Sequence, residues 1–260
     1  PKLYKRIFLF TNLCILGMLV TFPIQGYALF SIIFSTLFLF ASYWFTWFAF
    51  KFVPNNFKKR FSWKLIKASL WYLVLSSIGP WAVGVVMATL GSESIWYKNA
   101  IYFYLHFQYN GWFILALLGF LFYFFEEKNI QFDAAKLKSF FLLLNFGVLL
   151  TAFLSVLWSA PPIVFYILGL AGAVAQLLAF YEFYLLLKYQ FKIIKNSFEK
   201  LSFFLLKFAA IMLLLKLLLQ LFSAFPFGAN LAFQFKDFVI GYLHLVFLGI
   251  VITSMLAFLE

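Results

Sequence analysis

Eight unbroken apolar stretches, each about as long as a bilayer is thick, govern what this chain can become. They cover residues 7–25, 27–50, 65–90, 100–125, 139–158, 163–187, 203–225 and 238–259. A helix crossing the hydrocarbon of a membrane needs roughly 20 apolar residues, because each adds about 1.5 Å. A β-barrel is the other spanning solution, but its strands alternate apolar and polar residues. The runs here are continuous, as in residues 140–157 and 209–222. A water-soluble fold is excluded on composition: the chain is 66% hydrophobic and 11% charged, and its 41 phenylalanines exceed what a soluble core of this size can bury. The expected fold is therefore all-α, a polytopic transmembrane bundle of about eight helices forming one domain over residues 1–260.

Turn chemistry falls between the stretches. Pro23 and Gly26 follow the first, Pro54-Asn55-Asn56 the second, Gly91-Ser92 the third, Pro161-Pro162 the fifth and Pro226-Phe227-Gly228 the seventh. Pro80, inside the third, predicts a kink. The single cysteine, Cys14, excludes an intrachain disulfide. Residue 1 is Pro rather than Met, and further helices are expected upstream of it.

The net charge of +12 could suggest nucleic acid, but the positions of the charges explain it otherwise. With the amino terminus inside, sixteen of the 20 Lys and Arg fall on inner segments, among them Lys2, Arg6, Lys58, Arg60, Lys128 and Lys195; only Lys98 and Lys236 fall outside. That asymmetry predicts both termini in the cytoplasm, an even number of spans and attraction to anionic lipid. The bilayer is then the first partner, and nucleic acid is not one.

An ionisable side chain inside a span is costly and marks function by default. The candidates are His106, Glu182, Lys207, Lys216 and His244. The two histidines are the only ones in the chain. Each lies about seven residues into a helix descending from the outer face, roughly 10 Å down. Both stand in the pattern Y-L-H-x4-G: Tyr104-Leu105-His106 with Gly111, and Tyr242-Leu243-His244 with Gly249. Imidazoles at equal depth on parallel helices could hold one metal or one haem iron, and a glycine past each would admit a partner helix or a flat ring. Each histidine could equally be a packing residue that bonds a neighbouring helix. Asn110, at i+4 from His106, shares its face and is placed to orient the imidazole or a ligand, or to bond a neighbouring helix. Lys216 is too deep to reach the interface easily. It could counter a propionate or an anionic substrate, or pair with Asp237 or a carbonyl. A structural ion pair is expected for Glu182 and Lys207. Gln25, Gln176, Gln220 and Trp81 are weaker polar candidates.

The segments Tyr104–Trp112 and Tyr242–Gly249 resemble the H-x-x-x-x-G-W/F helices of the family of haem-copper oxidase subunit I, including the nitric oxide reductase branch, and in particular Bacteroidota-type bacterial membrane proteins of that broad group. The resemblance implies a helical bundle in the bacterial inner membrane with haem held by histidine toward the outer leaflet. It also implies an earlier histidine-rich helix, upstream of Pro1. The chain departs from the family in having fewer spans, only two histidines and no adjacent histidine pair, so oxygen or nitric oxide reduction by this chain alone is not expected.

Three functions follow. The first is binding of haem b or a transition metal by His106 and His244, with Asn110 and Lys216 beside the cofactor, for electron transfer or small-gas sensing with a redox partner or other membrane subunits. The second is a transporter or channel with a polar path, in which Lys216 selects anions. The third is a structural subunit without cofactor. No H-E-x-x-H, G-x-S-x-G or aspartate-rich motif supports a hydrolase or transferase.

Overall fold

A computed structural model describes residues 2–259, with the side chains of all but Phe233 and Lys236. Pro1 and the Lys236 side chain, both used above, lie outside the described residues. The described residues form helices and no strand. Eight helices are long and apolar enough to cross a membrane: α1 (Lys2–Gln25), α2 (Leu29–Phe52), α3 (Phe61–Thr89), α4 (Ile95–Glu127), α5 (Ala134–Ser159), α6 (Ile163–Tyr189), α7 (Lys200–Ser223) and α8 (Asp237–Leu259). Each falls on one of the eight apolar stretches.

The breaks between helices are chemically specified. Gly26 closes α1 and Gly91 closes α3, each at positive φ where a side chain would be strained. Ser94 caps α4, its hydroxyl accepting from Trp96 N at 3.2 Å, and Asp133 caps α5 by accepting from Lys136 N at 2.8 Å. Inside α3 the helix is interrupted at Ser77. Pro80 lacks the N–H that would bond the Ser76 carbonyl one turn back, which accounts for the break.

Helices pair in sequence order, α3 on α4, α5 on α6 and α7 on α8; α4 then meets α5, and α6 meets α7. These six enclose a core in which Leu65, Leu115, Phe122, Phe140, Val148 and Val246 are almost fully buried. The α1–α2 hairpin packs mainly on itself and reaches the rest through α2 against α3. Large apolar side chains such as Leu19, Ile24, Ile167 and Phe204 face outward in quantity. A surface this apolar suits lipid, and the molecule is a multi-pass helical membrane protein.

Between such helices lipid is as apolar as leucine, so close packing and hydrogen bonds must hold them together. The α5–α6 crossing shows how. A Cβ on Gly172 would sit 2.6 Å from Thr151 N, and one on Gly147 would sit 2.5 Å from Gln176 Cγ. The two glycines let the backbones touch and press Gln176 of α6 against Thr151 of α5.

Candidate functional site

Four helices deliver polar side chains to the middle of the bundle. Gln176 lies about thirteen residues from either end of α6, roughly 20 Å from each. Its Nε2 donates to Thr151 Oγ1 at 2.9 Å, and its Oε1 accepts from Lys216 Nζ of α7 at 3.1 Å. Thr151 Oγ1 in turn donates a hydrogen bond to the Gly147 carbonyl at 2.8 Å. Lys216 is 1% exposed, and no carboxylate pairs with it among the described residues. A lysine so placed costs about 2.5–3.5 kcal/mol on insertion scales, and a neutral amide is what the fold sets against it.

Asn110 and His106 of α4 complete the layer. The His106 ring, 7% exposed, lies 2.8 Å through Nε2 from the Val148 carbonyl of α5 and 3.2 Å through Nδ1 from Asn110 Nδ2. A carbonyl only accepts, so Nε2 carries the proton and Nδ1 accepts from the amide. Asn110 Nδ2 also lies 3.1 Å from the His106 carbonyl. Asn110, Gln176 and Lys216 border one cavity of about 20 Å³, closed otherwise by apolar side chains such as Leu144 and Leu217. That is room for one water-sized group. Among the described residues Asn110 Oδ1 is buried without a hydrogen-bond partner, as is Gln220 Oε1 one turn beyond Lys216 on α7.

Both Y-L-H segments lead into π-helical turns, Phe107–Phe113 after His106 and Leu245–Ile252 after His244. The glycines do admit neighbours as expected: a Cβ on Gly111 would meet Tyr72 Cβ of α3 at 2.6 Å, and one on Gly249 would meet Met212 Cγ of α7 at 3.2 Å. The sequence carries the repeat of residues but not the repeated change of helix type, which often marks functional sites.

The structure does not bring the two imidazoles together. His106 is buried with both nitrogens engaged, whereas His244 is exposed, its Nδ1 donating to the Ile240 carbonyl of its own helix at 2.8 Å. No ring contact or hydrogen bond joins them among the described residues. α4 begins at Ile95 behind the Ser94 cap rather than near residue 100, so His106 stands about eleven residues from the start of its helix and His244 about seven. In this arrangement the residues do not fit a haem or metal shared between His106 and His244. No group of three or more His, Cys, Asp or Glu side chains able to hold a metal occurs among the described residues.

Other candidates resolve individually. Lys216 meets Gln176 rather than Asp237. Glu182 and Lys207 are not an ion pair: Glu182 Oε1 accepts from Ser139 at 3.5 Å, while Lys207 faces outward with Nζ 6.0 Å from the Phe203 ring. Trp81 donates to Tyr43 OH at 3.0 Å, tying α2 to the break in α3. Thr151, central to the layer, drew no attention in sequence. A threonine in an apolar run has no distinguishing neighbours, and only the facing Gln176 reveals it.

A bundle of apolar helices around a buried amide–lysine layer defines the class: a multi-pass helical membrane protein with an intramembrane polar site. Comparison with known protein families, with curated proteins and with solved structures gives no match. The likeness to oxidase helices therefore rests on the two Y-L-H segments alone.

Proposed function

We propose that this chain is a membrane transporter or channel in which Lys216 meets a small anionic solute at mid-membrane. The observation carrying this is a fully buried lysine whose partner is the Gln176 amide rather than a carboxylate. When protonated it carries a charge that no carboxylate among the described residues compensates, and an anion would compensate it. Asn110 Oδ1 and Gln220 Oε1, acceptors without hydrogen-bond partners among the described residues, are groups that a water accompanying the solute would satisfy. The interrupted α3 and the two π-helical turns supply the irregular backbone common around transporter sites. The distribution of Lys and Arg favours both termini in the cytoplasm, and a bacterial inner membrane is what the resemblance of the two Y-L-H segments to oxidase helices would add.

The test is anion flux into proteoliposomes. Lys216→Met should abolish it, and flux persisting in that variant with the same preference for anions would refute the assignment.

Haem b or a transition metal on His106 and His244 is the second reading, favoured by the matching π-helical turns. It requires His106 to release Val148 or Asn110 and His244 to turn inward. A Soret band or stoichiometric metal in the purified protein, lost in His106→Ala and His244→Ala, would support it; a colourless, metal-free preparation would exclude it.

A further inference from the structure

A second cavity lies beside the polar layer. It has a volume of about 150 Å³ and is walled by α4, α6, α7, α8 and the α6–α7 connection. Its lining is apolar except for Ser254 and Lys207. It shares Ile114, Leu118, Phe183 and Leu213 with the small cavity beside Asn110, Gln176 and Lys216. Four side chains thus separate a roomy apolar chamber from a buried amine. Lys207, outward-facing and with no acidic partner among the described residues, stands in the chamber wall on the same helix as Lys216.

Resting on the transport reading above, we infer that the substrate class is a small organic monocarboxylate with an apolar body, one aromatic ring or a chain of about six carbons in size. Three features select it. A cavity of about 150 Å³ lined by apolar side chains is of the size that admits benzene, so the body fits. A hydrated inorganic anion would have to shed water against Leu, Ile and Phe without recompense, whereas an apolar body gains roughly 25 cal/mol per Å² buried. Two lysines, one in the chamber wall and one beyond the partition, give the carboxylate a charge partner at the start and at the end of its passage. The competing occupant is a bilayer acyl chain, but the shared partition favours a ligand that moves on to Lys216, because a lipid tail has no use for a buried amine.

The probe is benzoate, with benzyl alcohol as its uncharged analogue and acetate as its tail-less one. Binding is measured by titration calorimetry on the full chain in detergent micelles. Benzoate should bind saturably and acetate should not. Lys207→Gln, a change on the outward face, should weaken benzoate by up to about fivefold, as for an exposed charge pair. Lys216→Met should weaken it by about thirtyfold or more, as for a buried one. Benzyl alcohol should bind equally to all three proteins. Leu213→Trp, which fills the partition, should abolish both. The inference is overturned if benzoate does not saturate, if neither lysine variant affects it, or if a co-purifying lipid holds the chamber and benzoate does not displace it. Lys216-dependent flux of an inorganic anion without benzoate binding would overturn this inference and leave the transport reading standing.

Discussion

Replacing Gln176 with leucine should damage this protein more than removing the lysine it faces. Gln176→Leu takes away the acceptor 3.1 Å from Lys216 Nζ and the donor 2.9 Å from Thr151 Oγ1. A hydrogen bond to a charged group contributes about 1.5–3 kcal/mol. Bonds between membrane helices average about 0.6 kcal/mol, with a maximum near 1.7. The loss should be roughly 2–4 kcal/mol, because leucine leaves the amine buried with no acceptor in place of the amide. Lys216→Met removes a costly buried amine but leaves Gln176 Oε1 without its donor, so the two effects offset and the net change should stay within about 1 kcal/mol. The double variant Lys216→Met/Gln176→Leu should return to within about 1 kcal/mol of the parent, giving a coupling of about 1.5–3 kcal/mol. The assay is reversible unfolding in mixed micelles of mild detergent and dodecyl sulfate, followed by the fluorescence of the eight tryptophans. A double variant as unstable as Gln176→Leu alone, or costs that simply add, would show that the amide does not serve the lysine.

Three further outcomes are expected in the same unfolding assay. Gly172→Val should cost at least about 3 kcal/mol, because its Cβ meets the Thr151 backbone N at 2.6 Å and backbone cannot move aside as a side chain can. His106→Leu should cost about 1–3 kcal/mol by stranding the Val148 carbonyl and the Asn110 amide, whereas His244→Leu, on an exposed face, should leave the midpoint unchanged. Glu126→Ala should lower the midpoint, since Glu126 accepts from Ser62 N at 3.0 Å and Ser62 Oγ at 2.5 Å and Ser62 is fully buried. Glu127→Ala, which removes only the exposed pair with Arg60, should not.

All eight spans were legible because a bilayer asks one question of a sequence, whether some twenty residues are apolar, and each stretch answers it. Pro80 announced the break in α3 by its missing donor. Helix starts were partly legible: α8 begins where counting put it, while α4 begins earlier because Trp96, Lys98 and Asn99 belong to the helix although hydropathy excludes them. Rotation about the helix axis was not legible. In a soluble helix the polar face marks the outside, but here lipid and core both accept Leu and Phe, so nothing in residues 238–259 says that His244 faces out. Gln176 was named among weak candidates and Thr151 was not named, because their importance arises from a contact between α5 and α6 that no single stretch contains. The relation of Asn110 to His106 was readable, being an i to i+4 neighbour on one helix.

The widened turn after His106 makes α4 sensitive to length as well as to composition. A π turn holds an extra residue, so deleting one from 107–113 would let the coil tighten to ordinary α geometry. The segment downstream would then keep nearly its present bearing, because the residue removed is the one the wider turn accommodates, and Ile114 and Leu118 would stay on the partition they share between the two cavities. The same deletion in the α-helical stretch beyond it, where nothing can tighten, would swing everything downstream by about 100° about the axis.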